Sequence, residues 1–313
     1  MFRPRGARPA PEGETDDGPW AGAIQTTVLG IDIGGSRSRA RLSAGGRILA
    51  EAEGPGANVA TLPPAAVNRR LTALLAELGS IHPDACCAGA AGAEVPAGRL
   101  RLERLLQILL PGCRISVIHD ARLVLSAAQT DEGIALISGT GSVAYGRTAG
   151  GREARRGGWG WQVGDDGGGA WITREAAREV MRRADSGQSV GELGSRLLAA
   201  CRAGDMTELP GKLHGLREPM QWAAIANVVF ETADLDPGAQ SIVLRGASAL
   251  SDLAKSVRAS LGIDGPIVMA GGLLLNQPKL ECAVRDELGS QCIRLEEPPV
   301  AGAVRLAELG LRS

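Results

Sequence analysis

The chain has 313 residues, of which 44% are hydrophobic, so it is long enough to form two domains that each bury a core. Its formal net charge of −1 gives no indication of nucleic acid or an anionic membrane as the main partner. All its apolar runs are far shorter than the roughly 20 residues that a membrane-spanning helix needs. Together these properties predict a compact cytoplasmic protein.

Residues 1–25 differ in composition from the rest of the chain. They are rich in Pro, Gly, Arg and acidic residues and contain no apolar segment of the kind that a secretory signal requires. They are therefore predicted to be a disordered tail rather than a signal peptide.

The cysteines give no sign of a metal site. None forms a C-x-x-C pair, and none stands at a metal-ligand spacing with the three histidines. They are interpreted as buried or incidental thiols: Cys86, Cys87, Cys113, Cys201, Cys282 and Cys292.

In chain order, residues 27–52 alternate and turn in the way that is typical of a three-strand meander. Leucines at helical spacing predict a helix over residues 64–78. Short buried strands are then expected at 84–91 and 114–118, with a helix around 100–110 between them. This β-β-β-α-β-α-β order predicts a mixed sheet with helices on its faces, and hence the α/β class.

A glycine-turn pattern occurs twice. Leu29-Gly-Ile-Asp-Ile-Gly-Gly35 and Ala135-Leu-Ile-Ser-Gly-Thr-Gly141 each predict a strand that ends in a tight turn. The next turns, at Gly45 and Gly150, keep the same offset, since 139 − 34 and 150 − 45 both equal 105. An equal offset at two turns indicates a duplicated unit, whose two glycine turns could hold one phosphate chain from both sides.

The second copy is interrupted. It begins at Gly133, and a long segment of helical character, roughly 171–258, precedes a predicted strand at 267–270. The insertion is expected to enlarge the second half of the protein.

Asp32 is the first candidate functional residue. It stands just before Gly34 and Gly35, where backbone amides can approach a phosphate and a carboxylate can reach the phosphate's magnesium ion. A plain hairpin turn would give the same pattern. In the second copy, Ser138-Gly-Thr-Gly-Ser142 offers hydroxyls and amides but no acid, as a loop for terminal phosphates would.

Asp120 follows a predicted strand and begins a predicted helix. The amino end of a helix favours the ionised carboxylate. Such a residue could be only an N-cap, or it could be a general base at the carboxyl end of a strand. The residues alone leave both interpretations open.

Two further segments suggest ligand contacts. Residues 157–169 contain seven glycines in thirteen positions together with Trp159 and Asp165, which suits a loop that grips a polyhydroxy ligand. Residues 267–276 predict a buried strand that runs into the glycine pair Gly271-Gly272. That pair could leave room for an adenine ring, or it could be a simple strand-turn-helix junction.

Taken together, Asp32-Ile-Gly-Gly-Ser-Arg-Ser-Arg-Ala, Ser138-Gly-Thr-Gly-Ser, Gly157-Gly-Trp-Gly-Trp-Gln-Val-Gly-Asp-Asp-Gly and Met269-Ala-Gly-Gly resemble the N-acetylglucosamine kinase and glucosamine kinase family of BadF/BadG/BcrA/BcrD-type ATPases. That family belongs to the sugar kinase, heat-shock ATPase and actin superfamily. The resemblance runs from Thr26 almost to the end.

The resemblance implies two ribonuclease-H-like, actin-like ATPase domains with a cleft between them. These are expected at residues 26–130 and 131–298, with a terminal helix at about 299–313 that packs back on the first domain. A homodimer is also implied.

The resemblance further implies ATP-dependent phosphorylation of the 6-hydroxyl of N-acetylglucosamine, with Mg²⁺. Asp120 would be the base, and Asp32 would orient the magnesium through water. Asn58, Gly158, Trp159 and Asp165 would contact the sugar along with Asp120. The nucleotide would be held by Gly34, Gly35, Ser36, Gly139, Thr140, Gly141, Gly271 and Gly272.

Alternatives within and beyond the family stay open. Residues 88–94 supply only backbone where some relatives have a hydroxyl residue, so glucosamine or N-acetylmuramic acid could replace N-acetylglucosamine as the substrate. An activator ATPase of 2-hydroxyacyl-CoA dehydratases would need paired cysteines for an iron-sulfur cluster, and Cys86 and Cys87 are adjacent without a second suitable pair. A sugar-sensing regulator would need a DNA-binding element, for which residues 1–25 are too short.

Overall fold

The computed structural model describes residues 26–93, 95–289 and 291–312. They form two five-stranded mixed sheets with helices packed on them, which confirms the α/β class. The segment expected to be a disordered tail, residues 1–25, lies outside the described residues. Within the described ranges, no helix is both long and apolar enough to cross a membrane.

The first sheet is built around the first glycine-turn strand. Its elements are β1 (Thr27–Ile33), β2 (Arg37–Ala44), β3 (Arg47–Pro55), α1 (Pro64–Ala76), β4 (Ala85–Ala90), α2 (Pro96–Leu109) and β5 (Arg114–His119). The strand order is β3-β2-β1-β4-β5, with β2 antiparallel and β4 parallel to β1. The meander and the β-β-β-α-β-α-β order are therefore confirmed. Ala88 to Ala90 belong to β4, so the loop after that strand begins only at Ala91.

The second sheet repeats this arrangement. Its strands are β6 (Gly133–Ser138), β7 (Ser142–Arg147), β8 (Glu153–Gly157), β9 (Ile267–Ala270) and β10 (Cys292–Arg294). Their order, β10-β9-β6-β7-β8, matches that of the first sheet read from the other edge. The strands β2 and β7 begin at Arg37 and Ser142, which again differ by 105. The duplicated unit is confirmed.

The expected insertion consists of six helices between β8 and β9. They are α4 (Gly169–Asp185), α5 (Gly191–Cys201), α6 (Leu209–His214), α7 (Pro219–Ala223), α8 (Asn227–Thr232) and α9 (Pro237–Leu261). After β9 comes α10 (Gly272–Asn276), so the strand-turn-helix junction that was one interpretation of Gly271-Gly272 is present. The next elements, α11 (Pro278–Leu288) and β10, were not predicted. The strand β10 has only three residues, two of them exposed, so it carries no periodic signal.

Each sheet has its own core. Leu29, Ile31 and Ile33 of β1 point to the face covered by α1 and α2, while Val28 points to the opposite face. This alternation is the period of two that a strand imposes. The largest apolar cluster lies between the second sheet and the helices of the insertion.

Helix α3 (Asp120–Ala127) packs between the two sheets, and α12 (Pro299–Arg312) packs beside it on the first sheet. Leu123 of α3 packs with the first sheet, whereas Val124 and Leu125 pack with the second. Helix α12 lies on β1, β2 and β4 and against α3. The chain thus returns to the first sheet after completing the second.

Glycines permit very close contacts here. A Cβ atom added to Gly30 would lie 2.6 Å from the backbone nitrogen of Val304, and one added to Gly302 would lie 2.1 Å from the carbonyl oxygen of Leu123. Real Cβ atoms do not approach backbone this closely, so any larger residue at either position would push α12 away.

We expect Gly302→Ala to lower the free energy of unfolding by about 1–3 kcal/mol or more, because the added methyl overlaps the backbone of α3. The matched control is Gly310→Ala in the same helix, where no atom lies within 4 Å of the added Cβ. This control should stabilise the protein by roughly 0.5–1 kcal/mol, since alanine is the better helix former. Urea unfolding of both variants measures the difference, and equal shifts would contradict the packing argument.

Candidate active site

The first glycine turn, Gly34 to Ser36, joins β1 to β2. Its closing hydrogen bond runs from the Gly34 amide to the Arg37 carbonyl oxygen at 2.9 Å. The backbone of Gly56 packs beneath it, and a Cβ there would lie 2.2 Å from the Gly35 carbonyl oxygen. A Cβ on Gly35 would meet no atom within 4 Å, so the outer side of the turn is open.

The second glycine turn, Gly139 to Gly141, is docked on the amino end of α4. The Gly139 carbonyl oxygen accepts a hydrogen bond from Gly169 at 2.9 Å, and the Thr140 carbonyl oxygen accepts one from Ala170 at 3.1 Å. A Cβ on Gly141 would lie 2.2 Å from Oδ2 of Asp165. A larger residue at position 141 would therefore displace the Asp165 side chain, at the point where the turn meets the loop that follows β8.

The two turns meet across the gap between the sheets. Oγ of Ser36 and Oγ1 of Thr140 are 3.1 Å apart, which is hydrogen-bonding distance. The structure thus brings together the two motifs that the sequence analysis paired, each closed by one internal hydrogen bond, from the Gly34 amide in the first turn and from the Gly139 amide in the second. Such a pair of turns can approach one phosphate chain from two sides.

Asp32 lies at the end of β1, directly before the first turn. Its pKa is raised from 3.8 to about 7, first by burial and then by the negative charge of Asp120. Arg39, the cross-strand neighbour of Asp32, lowers it in part. Arg39 also donates to Oε2 of Glu53 at 2.9 Å, so its charge is shared between two carboxylates.

Asp120 is the first residue of α3 and lies close enough to Asp32 to raise its pKa. Oδ1 of Asp120 accepts a hydrogen bond from the Ala121 amide at 2.8 Å and lies 3.1 Å from Nδ1 of His119. Oδ2 takes no part in these contacts. The carboxylate is therefore fixed through one oxygen and can accept a proton through the other.

Asn58 lies in the segment that follows β3. Its Oδ1 accepts the amide hydrogens of Ala60 at 2.8 Å and Thr61 at 3.3 Å, which leaves the side-chain NH₂ to donate elsewhere. Two arginines fix the backbone of this segment. Arg101 donates to the Val59 carbonyl oxygen at 3.0 Å, and Arg70 donates to the Gly56 carbonyl oxygen.

The glycine-rich segment 157–169 carries three of the sequence-predicted residues. Gly158 has a φ of +68° and Asp165 a φ of +58°, so both occupy the left-handed region. Oδ1 of Asp165 accepts from the Gly160 amide at 3.2 Å, and burial raises its pKa. Trp159 is 72% exposed, with the guanidinium of Arg155 5.3 Å from its ring. An exposed indole on a glycine-rich loop can cover a ligand that enters the gap.

Gly271 and Gly272 follow β9 and approach the second turn. Gly271 has a φ of +93°, and a Cβ there would lie 2.3 Å from the Ser138 carbonyl oxygen. A Cβ on Gly139 would be 3.8 Å from the Gly272 amide nitrogen. The glycine pair thus belongs to the same site as the second turn, where the strands β6 and β9 run parallel.

These residues fit MgATP. Apart from the Gly34 and Gly139 amides, which close the turns, the backbone amides of both turns suit an anionic phosphate chain. Asp32 and Asp120 place two carboxylates close enough to interact. A divalent cation near Asp32 would offset the repulsion and the burial that raise its pKa. In contrast, the structure describes no group of three or more His, Cys, Asp or Glu side chains that could hold a metal ion, so phosphate oxygens and water would supply most ligands.

Sequence reasoning overlooked two features of the site. Arg39 could have been found, because the three-residue turn between β1 and β2 sets it opposite Asp32. The stack of His119 on Tyr145, with ring centroids 5.5 Å apart, carries no local sequence signal, since the residues belong to different sheets.

Three comparisons bear on identity. A family model described as the BadF/BadG/BcrA/BcrD ATPase family matches residues 29–305. The chain is 35% identical over 166 residues to an N-acetylmuramic acid/N-acetylglucosamine kinase of Clostridium acetobutylicum, covering 50% of this chain and 54% of that one. It is 27% identical over 271 residues to an N-acetyl-D-glucosamine kinase of Dictyostelium discoideum, covering 78% and 84%.

The fold has a parallel in a Chromobacterium violaceum protein that is provisionally named an N-acetylglucosamine kinase. Its crystal structure matches with a TM-score of 0.73 and 26% identity, and the match covers 90% of this chain and 99% of that chain. The similarity confirms the expected actin-like fold. The chain spans about half the length of the Clostridium relative, and most of the Dictyostelium one.

We expect Asp32→Asn to stabilise the protein at pH 8 in metal-free buffer, and the gain to vanish as the pH falls towards 4. The folded pKa of about 7 exceeds the usual value of 3.8, so ionisation above pH 4 progressively destabilises the wild-type fold. At about 1.4 kcal/mol per pKa unit, the upper limit is roughly 4 kcal/mol.

Urea unfolding of the wild type and the variant between pH 5 and pH 8 measures this gain. The matched control is Asp185→Asn at the exposed end of α4, which should give a small difference at every pH. If the free energy of unfolding gained by Asp32→Asn did not vary with pH, the raised pKa of Asp32 would be contradicted.

Proposed function

The chain belongs to the BadF/BadG/BcrA/BcrD ATPase family, and from this premise we propose that it is an ATP-dependent amino-sugar kinase that phosphorylates the 6-hydroxyl of N-acetylglucosamine. The two sequence relatives are named as kinases of N-acetylglucosamine, one of them also of N-acetylmuramic acid. The observation that carries the proposal is the convergence of Asp32, Asp120 and both glycine turns on one gap.

In the proposed complex, both turns bind the phosphates of ATP, through the backbone amides of Gly35, Ser36, Thr140 and Gly141 and the hydroxyls of Ser36 and Thr140. The amides of Gly34 and Gly139 close the turns around this site. The adenosine lies next to Gly271 and Gly272. The two turns come from different sheets, so each can hold the phosphate chain from its own side. When bound, Mg²⁺ would neutralise charge on the phosphates, and Asp32 would orient it through water.

Asp120 acts as the general base in this proposal. The carboxylate accepts the proton of the sugar 6-hydroxyl as that oxygen forms a bond to the γ-phosphorus of ATP. The bond between the γ-phosphorus and the bridging oxygen breaks, and ADP leaves with that electron pair. Most of the rate enhancement comes from alignment and charge stabilisation, as is usual for phosphoryl transfer.

The sugar is proposed to lie between Asn58 of the first half and the segment that contains Gly158, Trp159 and Asp165. The NH₂ group of Asn58 can donate to a hydroxyl, and the Asp165 carboxylate can accept from one. Trp159 offers an apolar face to the ring. Closure of domains 26–130 and 131–298 around the sugar would exclude water and limit ATP hydrolysis.

Assembly as a homodimer and a cytoplasmic location remain part of the proposal. Glucosamine and N-acetylmuramic acid are the alternative sugars. The loop that would face the 2-substituent begins at Ala91 and offers backbone through Ala93, and Glu94 lies outside the described residues. A panel of sugars decides between these substrates.

The cysteines do not favour an activator ATPase. Cys86 and Cys87 are neighbours in β4 and point to opposite faces of the sheet, one into the core under α1 and α2 and the other towards α12. Burial raises the pKa of both thiols, to about 12 for Cys87. Two inward-facing thiols on opposite faces cannot ligate one iron-sulfur cluster.

We expect Asp120→Asn to lower kcat by about two to four orders of magnitude, because the amide cannot accept the hydroxyl proton. The measurement is sugar-dependent ADP release from MgATP with N-acetylglucosamine, glucosamine, N-acetylmuramic acid and glucose. Sugar binding, measured by calorimetry, should change little.

The control is again Asp185→Asn, which removes the same charge from an exposed helix end and should keep wild-type kcat. Wild-type turnover in Asp120→Asn would remove Asp120 from the mechanism. No sugar-dependent ADP release by the wild type with any of the four sugars would refute the proposed function.

A further inference from the structure

A ring stack crosses from one sheet to the other directly beside Asp120. The imidazole of His119, at the end of β5, lies on the ring of Tyr145 in β7, with centroids 5.5 Å apart and planes at 8°. Offset parallel rings at this separation attract one another beyond the contribution of the area they bury. No residue assigned to the nucleotide or the sugar takes part in it.

His119 also fixes the amino end of α3. Its Nδ1 accepts the Ala121 amide hydrogen at 3.1 Å, the contact that an N-cap side chain makes. The same nitrogen lies 3.1 Å from Oδ1 of Asp120. One nitrogen cannot make both hydrogen bonds at once: an unprotonated Nδ1 accepts from the Ala121 amide, and a protonated Nδ1 donates to Oδ1 of Asp120. Either bond ties the imidazole to the amino end of α3, where the proposed base lies.

Tyr145 is held rigidly. It is 3% exposed and packs in an apolar cluster with Ala121, Val124 and Leu125 of α3. Its strand pairs on one side with β6 and on the other with β8. Since β6 and β7 flank the second glycine turn, the phenol ring is anchored to the framework that carries the proposed phosphate site.

We propose that Tyr145 is a positioning residue, which sets the orientation of Asp120 relative to the second glycine turn by stacking on His119. The inference rests on the proposed function for its catalytic consequence. The stack would align the proton acceptor, Asp120 at the start of α3, with the phosphoryl donor bound by the loop between β6 and β7. Helix α3 follows β5 of the first sheet, whereas β6 and β7 belong to the second sheet. The stack therefore joins the two halves of the protein beside the reacting centre.

A side chain buried in a core often contributes only to packing. The variants must therefore separate a packing role of Tyr145 from its proposed role in positioning Asp120. Tyr145→Phe keeps the stacked ring and removes only the hydroxyl group, which is buried and lies next to the Glu153 side chain of β8. Tyr145→Leu removes the ring. His119→Asn removes the other ring but keeps a side chain that caps helices well, so it tests the stack if Tyr145→Leu does not fold.

The first measurement is steady-state kinetics with MgATP and the preferred sugar. We expect Tyr145→Leu and His119→Asn to lower kcat about ten- to a hundredfold, the range for a misplacement of about 1 Å. The KM values for ATP and sugar should stay within roughly threefold, because binding groups are untouched. Tyr145→Phe should keep kcat within about twofold of the wild type.

The second measurement is hydrogen exchange of the amides at 121–124 without ligands, which requires no enzymatic activity. Loss of either ring should speed exchange at least about tenfold, while Tyr145→Phe leaves it unchanged. If the wild type shows no sugar-dependent turnover, the proposed kinase activity is refuted. The exchange rates of amides 121–124 would still decide whether the ring stack holds the amino end of α3 in place.

Two results would overturn the proposal. One is a folded Tyr145→Leu or His119→Asn variant with wild-type kcat and wild-type exchange. The other is an equal loss of kcat in Tyr145→Phe and Tyr145→Leu, which would assign the effect to the hydroxyl.

Discussion

Helix α3 carries Asp120, and close contacts with both sheets and with α12 fix the position of this helix. Leu123 packs against the first sheet, and a Cβ on Gly89 would lie 2.4 Å from its side chain. Val124 and Leu125 pack against the second sheet. The helix also meets α12 at Gly302, where its backbone would be 2.1 Å from an added Cβ. Gly89 and Gly302 leave no room for a larger side chain, so α3 cannot shift without breaking these contacts. Its amino end, which carries Asp120, therefore points into the gap between the sheets in a fixed direction.

The gap itself is electrostatically unfavourable without a ligand. Asp32 and Asp120 interact, and Asp32 is buried enough for its pKa to rise to about 7, while Arg39 relieves only part of the effect. The backbone of the glycine turns suits anions, and the two carboxylates suit a cation. A nucleotide with its metal would supply both kinds of charge at once, so its binding would relieve the repulsion in the ligand-free gap.

Much of this could be predicted from the sequence, for identifiable reasons. The meander and its repeat follow from local patterns, because both glycine turns recur at one offset and short turns set the register of their strands. The same rule would have found Arg39 opposite Asp32. The stack of His119 on Tyr145 could not be predicted, since it depends on how α3 packs between two sheets. The strand β10 could not be predicted because it has three residues, two of them exposed, which is too short for a periodic pattern.

The position of phosphorylation can be measured directly by ³¹P–¹H correlation NMR of the product formed from MgATP and N-acetylglucosamine. Transfer to the 6-hydroxyl gives a phosphomonoester whose phosphorus couples to the two protons on carbon 6, together with an equal amount of ADP. A product phosphorylated on another oxygen would contradict the proposed placement of the sugar against Asp120. ADP with inorganic phosphate alone would contradict the kinase itself.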